Sequence, residues 1–331
     1  MELVCPAGSL TAVKTAIQAG ADAIYVGLRD DTNARRFAGL NLDARELEQV
    51  VDMAHDQGRR LFLAVNTYVR PGAGRRWERA VELAAELWVD ALIVADVGLL
   101  AHASRRYPDL PLHLSVQGSA TNPEALAFYY EHYGIRRAVL PRVLSLAQVS
   151  RVARESPVPV EVFGFGSLCI MAEGRCHLSS YITGESPNQG GACSPAGAVR
   201  WERDGKVLSS RLNEVLIDRF EPDERAGYPT LCKGRFIVEG RRLHAIEEPT
   251  SLSTIDLIPK LAEIGVAAIK IEGSQRSPAY VEKVTRTWRE ALDAFAATGG
   301  DFEVRPQWSR TLAGLSEGSQ TTLGAYHRPW Q

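Results

Sequence analysis

Four of the chain's five cysteines fall in one stretch, Cys169, Cys176, Cys193 and Cys232, spaced C-x6-C-x16-C-x38-C. Thiolates bind soft metal centres, and four complete the shell of a tetrahedral zinc or of a cubane iron–sulfur cluster. Structural zinc usually draws on tight C-x2-4-C pairs, because a short knuckle aims two sulfurs at one ion. No such pair occurs here. Wide, unequal spacing favours a cluster cradled by several loops, with zinc and unrelated buried cysteines as the alternatives. Cys5 stands apart in an apolar run at the start of the chain, where a free cysteine serves as a small core residue.

The elements that must position these thiols read as an alternation. Short apolar or β-branched runs recur at 2–6, 23–28, 61–67, 91–96, 112–117, 138–143, 160–166 and 267–272, with amphipathic stretches between them. Asp43 with Glu46, and Ser145 with Gln148, match the capping box. Asn122-Pro123 and Ser277-Pro278 place an N-cap before a proline at the first helical position. Gly20, Gly58, Gly134, Gly265 and Gly299 stand where helices should end. Continuous apolar strands alternating with helices imply a parallel sheet covered by helices. Eight of them favour closure into a TIM-like (β/α)8 barrel over an open doubly wound sheet. The alternation breaks once, after Gly166, for about a hundred residues. That gap holds two hairpin-like segments, 199–212 around Asp204-Gly205 and 235–246 around Glu239-Gly240. A helix pattern resumes at 253–264, with Pro259 expected to kink it. The expected organisation is therefore four parts. Residues 1–166 carry barrel strands one to seven, 167–250 a cysteine-bearing insertion, 251–299 the last helix–strand–helix, and 300–331 a tail. The tail, with Tyr326, Trp330 and Gln331, is expected to wrap the barrel or meet a partner.

Composition narrows the function classes. The chain has 331 residues, 45% hydrophobic and 24% charged, with a net charge of −2 and a pI near 6.4. That balance argues against a dedicated nucleic-acid binder and leaves no DNA partner expected. No window reaches the ~20 apolar residues of a spanning helix, and no signal peptide is legible, so a cytoplasmic location is expected. Five cysteines without a secretion signal point to metal ligation rather than disulfides.

The stretch Glu161-Val-Phe-Gly-Phe-Gly-Ser-Leu-Cys169, followed by Gly174-Arg-Cys-His-Leu-Ser179, resembles the signature of the collagenase-like "peptidase" family of unassigned type. Asp30-Asp-Thr-Asn-Ala-Arg35, Thr183-Gly-Glu-Ser-Pro-Asn188, Ala192-Cys-Ser-Pro195, Leu231-Cys-Lys-Gly234 and Leu323-Gly-Ala-Tyr-His-Arg328 are similar to its UbiU-like branch. The resemblance implies a [4Fe-4S] cluster on Cys169, Cys176, Cys193 and Cys232. It also implies a heterodimer with a homologous UbiV-like subunit, serving oxygen-independent hydroxylation of the aromatic ring of ubiquinone precursors. Relatives in the family hydroxylate tRNA or ribosomal RNA, and prephenate is the implied oxygen donor. Quinone precursors are hydrophobic, so a lipid-binding protein could deliver them. A non-catalytic, cluster-bearing scaffold or electron carrier is a further alternative. Ser274 departs from the pattern, standing where a basic residue is expected in the Glu-Gly-x-Gln-Arg motif.

Proteolysis finds no support in motifs: there is neither an H-E-x-x-H pair nor a G-x-S-x-G elbow. Ser167 and Ser179 are expected to cap turns. No basic, aromatic-interleaved extension for single-stranded RNA is present. Arg59-Arg60, Arg105-Arg106 and Arg136-Arg137 fall at helix ends or strand starts, where cations complement helix dipoles, and read as structural. Barrel enzymes place their chemistry at the C-terminal ends of strands. Those ends offer Tyr25, Asn66, Asp96, Gln117, Arg142, Lys270 and Glu272, with Arg276 opening the last helix. If prephenate is the donor, Arg142, Lys270 and Arg276 are expected to bind its carboxylates, with Tyr25 and Asn66 also facing substrate. Glu272, Asp96 or Gln117 would then position the reacting groups. The competing reading is that Lys270 and Glu272 pair with neighbours and hold the barrel.

Overall fold

The computed structural model describes residues 1–36, 39–169, 171–173, 175–185, 193–224 and 226–327. Gly174, the segment 186–188, Ala192, Arg328, Trp330 and Gln331 of the sequence motifs and tail lie outside the described residues.

Seven parallel strands come first: β1 (Glu2–Pro6), β2 (Ala23–Gly27), β3 (Arg60–Val65), β4 (Ala91–Val94), β5 (Leu112–Leu114), β6 (Arg137–Val139) and β7 (Val160–Ser167). Between them run α1 (Leu10–Gln18), α2 (Ala44–Asp56), α3 (Gly74–Glu86), α4 (Val97–Arg106), α5 (Pro123–Tyr133) and α6 (Leu146–Glu155). The eighth strand, numbered β14 in chain order (Ala268–Ile271), pairs with both β1 and β7 and closes the barrel. The closed sheet is the expected (β/α)8 architecture. Its strands are buried on both faces with a period of two. Leu3, Cys5, Ile24, Val26, Leu61 and Leu63 face the helices, while Val4, Ala23, Tyr25, Phe62, Ala64 and Ala268 face inward. Both capping boxes and both Asn/Ser-Pro helix starts form as the sequence indicates. Cys5 is wholly buried, hydrogen-bonded to Thr285 and pushed up to about 12 by burial, the state of an inert core thiol.

The segment after β7 begins with α7 (His177–Thr183). Three antiparallel strands follow, β8 (Val199–Asp204), β9 (Val207–Leu212) and β10 (Val215–Phe220), then the hairpin β11 (Phe236–Val238) and β12 (Arg241–Leu243). The first hairpin turns on Gly205-Lys206 rather than Asp204-Gly205, since Asp204 pairs with Val207 and glycine takes the first central position. A second turn at Asn213-Glu214, with Asn213 left-handed, adds β10, which the sequence reading lacked. β13 (Ser251–Ser253) then returns antiparallel to the end of β7, Ser251 opposite Ser167. The helix expected over 253–264 is shorter, α8 (Ile258–Glu263), and Pro259 sits in its first turn. There the missing N–H costs nothing, so the proline starts this helix instead of kinking it.

β14 leads into α9 (Pro278–Thr298). Beyond it, α10 (Pro306–Leu315) buries Trp308 against the barrel helices, and β15 (Thr321–Thr322) pairs with β13. The described part of the C-terminal segment thus carries regular structure that weak periodicity did not reveal. No described helix is long and apolar enough to cross a membrane.

Candidate functional site at the C-terminal mouth of the barrel

The mouth is set by the last residues of β7 and β14. Gly166 holds φ +138, and a Cβ there would stand 2.6 Å from Glu272 Cβ, so the two strand ends approach as closely as only glycine permits. The Ser167 N–H then donates to Glu272 Oε2 at 2.8 Å, and Glu272 Oε1 lies 3.9 Å from Arg35 Nη2. Burial resists ionisation of Glu272, but Arg35, Arg142 and the Ser167 N–H outweigh it and hold the carboxyl below its usual range. Arg142 is buried, stacks 3.7 Å over the Phe163 ring, and donates through Nη1 to both oxygens of Glu173 at 2.8 and 3.0 Å.

The four cysteines lie on neighbouring turns beside this pair of carboxylates, linked electrostatically through Cys193. Cys169 follows the end of β7 by two residues, and Cys176 caps α7, its Sγ accepting from Ser179 N–H at 3.4 Å. Cys232 lies in a 3-10 turn, Leu231–Lys233, that packs against α7. Cys193 is the hub: Cys176 hydrogen-bonds to it, and Cys169 and Cys232 both feel its charge. The hydrogen bond from Cys176, and then the Arg35 guanidinium, push the Cys193 thiol below its usual range against burial. The same hydrogen bond, with burial, raises Cys176, and burial lifts Cys169 to about 11. Arg35 therefore touches both the thiol group and Glu272. This arrangement offers a soft, four-sulfur donor set next to an alternating array of arginines and carboxylates. Among the described residues, no three Cys, His, Asp or Glu side chains are gathered to hold a single metal ion.

Of the positions read from the strand ends, Glu272 and Arg142 share the mouth with the cysteines. Lys270 lies deeper, its Nζ 2.8 Å from Glu161 Oε1 and 3.9 Å above the Tyr25 ring, whose hydroxyl donates to the Ile271 carbonyl at 2.9 Å. Asn66 accepts from the Ala34 N–H at 3.0 Å, which steadies the backbone next to Arg35. Asp96 is the N-cap of α4 and also takes the Val69 N–H. Gln117 is buried, and its carbonyl accepts from Tyr68 Oη at 2.6 Å. Arg276 donates to the Leu315 carbonyl at 3.0 Å and stacks on Tyr280.

Three participants were missed as site residues. Arg35 was visible only inside the Asp30–Arg35 motif, on the loop after the second strand, where barrel enzymes carry functional groups. Glu173 and Arg175 lie between the first two cysteines, and Arg175 stacks on Tyr68 while donating to its hydroxyl at 2.7 Å. Ser167 caps no turn: it donates to Glu317 at 2.5 Å and accepts from Lys233 at 3.2 Å. Ser179 lies inside α7, where Cys176 is the cap. Of the arginine pairs, Arg105 and Arg106 close α4, Arg59 and Arg60 pair with Asp22 and Glu2, and Arg137 enters the barrel floor between Glu2 and Glu161.

Comparison with known proteins follows the same lines. Residues 8–329 match the family model "Peptidase family U32". The chain is 30% identical over 342 aligned positions to tRNA hydroxylation protein P of Escherichia coli K12, covering 97% of this chain and 73% of that protein. It is 29% identical to the 23S rRNA 5-hydroxycytidine C2501 synthase of the same organism, covering 91% of this chain and 41% of the synthase. The solved U32 peptidase Mk0906 superimposes with a TM-score of 0.50 at 16% identity, covering 84% of this chain and 94% of that one, a likeness of fold.

Proposed function

We propose, from the premise that this chain belongs to peptidase family U32, that it is the iron–sulfur subunit of an oxygen-independent hydroxylase. The observation that supports the proposal is that Cys169, Cys176 and Cys232 each lie within the electrostatic reach of Cys193, which in turn faces Arg35 and Glu272 at the barrel mouth. The chemistry of the donor set suits a [4Fe-4S] cluster, which takes four thiolates, and the four thiols lie within one another's electrostatic reach. When bound there, a cluster supplies one-electron chemistry at the mouth.

The chain's own residues would do the rest. Arg142 and Arg35 each already engage a carboxylate, Glu173 and Glu272. A dicarboxylate such as prephenate would enter by exchanging with those side chains, which presents its ring toward Phe163 and Tyr25. Glu272, held ionised by Arg35 and Arg142, would position the reacting groups. The ring hydroxylated is, on the resemblance to the UbiU-like branch, that of a ubiquinone precursor, delivered by a lipid-binding protein. The hairpin β11–β12 presents Ile237, 79% exposed, with Val238, Leu243 and Ile246 also exposed, an apolar surface suited to a homologous UbiV-like subunit.

The second reading, an RNA-base hydroxylase, is favoured by the names of the two Escherichia coli relatives. Proteolysis gains little from the residues, because the Ser167 hydroxyl is held by Glu317 and the Lys233 amine is ion-paired rather than free to act as a base. The test is anaerobic purification with iron, sulfide and zinc analysis of the parent and of each Cys→Ala variant. About four irons and four sulfides are expected in the parent, lost in the Cys169, Cys176, Cys193 and Cys232 variants and kept in Cys5→Ala. Zinc without sulfide would overturn the cluster. Mass spectrometry of quinone intermediates and of RNA nucleosides from a deletion strain separates the two substrates.

A further inference from the structure

Three polar side chains from distant parts of the chain meet at the edge of the thiol group. Ser167 Oγ donates to Glu317 Oε1 at 2.5 Å, Lys233 Nζ donates to Ser167 Oγ at 3.2 Å, and Lys233 is ion-paired with Glu317 Oε2. The Lys233 and Glu317 side chains are only 10% and 24% exposed, so water screens the pair weakly. Two of the three adjoin thiols: Ser167 precedes Cys169 by two residues, and Lys233 follows Cys232 directly. Glu317 belongs to the C-terminal segment, which carries no cysteine.

The delivery of Glu317 is itself built. Its N–H donates to Ser251 Oγ at 3.0 Å. The next residue, Gly318, holds φ +58, and a Cβ there would stand 2.1 Å from the Pro249 carbonyl oxygen. β15 then pairs with β13, which itself pairs with the end of β7. The barrel closes without any of these contacts. Around Cys232, the carbonyl accepts from the Glu247 N–H, and the Lys233 carbonyl meets His244 Nδ1, both contacts inside the segment between β7 and β13. Those bonds shape the turn but tie it to nothing in the barrel. The Lys233 side chain ties it to β7.

We infer that Ser167, Lys233 and Glu317 form a positioning clamp, in which the C-terminal segment supplies a carboxylate that locks the Cys232 turn to the Cys169 turn. The inference rests on the reading of the four cysteines as ligands of one cluster. None of the three touches the reacting atoms; they fix how far apart two ligand-bearing turns stand. A charge-assisted triad of this kind holds its two backbones more firmly than either turn's local bonds.

Two measurements on the full chain separate the clamp from the cluster. In cluster-free protein carrying Cys169, Cys176 and Cys193 as serine, the rate of maleimide labelling at Cys232 reports the freedom of its turn. Glu317→Gln should raise that rate by about tenfold, the loss expected for one charge-assisted bond, and Lys233→Met should do the same when rates are compared per thiolate, since the Lys233 cation also favours the Cys232 thiolate. In the cluster-loaded parent background, the same substitutions should speed iron release to a chelator by a similar factor. The charge-swapped pair Lys233→Glu with Glu317→Lys should restore most of the resistance. Ser167→Ala gives a milder variant should either charge change impair folding. Unchanged labelling and unchanged iron release in all three single variants overturn the clamp. Faster labelling in variants of a parent that binds no iron would support the clamp and overturn the cluster reading alone.

Discussion

Lys270 is where the two readings of the barrel interior part company. Its ammonium lies 2.8 Å from Glu161 Oε1, and the side chains of the pair are 7% and 1% exposed. Glu161 also faces Arg137 at 3.2 Å, and Arg137 reaches on to Glu2 at 2.6 Å. Lys270→Met removes the ammonium and keeps the volume, leaving a buried carboxylate with one cation instead of two. Breaking a buried pair from one side costs about 3–5 kcal/mol, and the surviving Arg137 contact places the expected loss near the lower end, about 3 kcal/mol. Burial opposes the charge on Glu161, yet Lys270 and Arg137 hold its carboxyl below the usual range. A depressed carboxyl contributes stability that is present above its unfolded-state pKa and lost as pH falls through its folded-state pKa. The deficit of Lys270→Met should therefore be largest near pH 7 and shrink below about pH 4. Urea denaturation followed by circular dichroism at both pH values measures it, and the double variant Lys270→Met with Glu161→Gln should recover most of the loss. A single variant within about 1 kcal/mol of the parent that nevertheless fails to hydroxylate would refute this reasoning and place Lys270 on the substrate.

His113 is buried edge-on to Phe62 and pushed down to about 3 by burial and by Arg137, with Lys270 and Arg60 adding to the shift and Glu161 opposing it. Because the unfolded chain takes up this proton first, the fold should lose about 2 kcal/mol between pH 6.5 and pH 5; His113→Leu should flatten that limb in thermal or urea titrations, and an unaltered slope would contradict it. Ile237→Asp, on the exposed hairpin, should abolish copurification with a UbiV-like chain while iron content and melting temperature stay at parental values; undiminished copurification would remove β11–β12 from the interface.

The barrel was legible because its signals are local. Eight apolar runs, two capping boxes and two proline helix starts each depend on residues within one turn of one another. Cys5 and Lys270 were readable as buried from their apolar neighbours alone. What escaped depends on pairs far apart in the chain. The Ser167–Glu317 bond spans 150 residues and the Lys233–Ser167 bond 66, and no periodicity encodes either. β10 was hidden because Leu216-Ile217-Asp218-Arg219 breaks the alternation, with Asp218 turned inward to Arg235 and Arg242. Pro259 shows a different limit: the same residue starts a helix or kinks one depending on where the helix begins, which its neighbours do not fix.

The charges inside the barrel fall into two groups that differ in what they can exchange. At the floor, Glu2, Arg137, Glu161 and Lys270 form a chain of two cations and two anions in which every side chain but Arg137, at 11%, is 10% exposed or less. At the mouth, Arg142 and Glu173 are equally buried, but Arg35, which faces Glu272, is 29% exposed. Tyr25 meets both groups, its ring under Lys270 and its hydroxyl within the field of Glu272 and Arg35. On the proposed function, an entering carboxylate would encounter Arg35 first, where solvent already weakens the existing pair, and would reach Arg142 by displacing Glu173. Lys270 would engage it only by leaving Glu161, which would then keep Arg137 alone. If the proposed function holds, a single carboxylate would exchange at Arg35 alone, whereas a dicarboxylate spanning Arg35 and Arg142 would leave neither arginine unpaired.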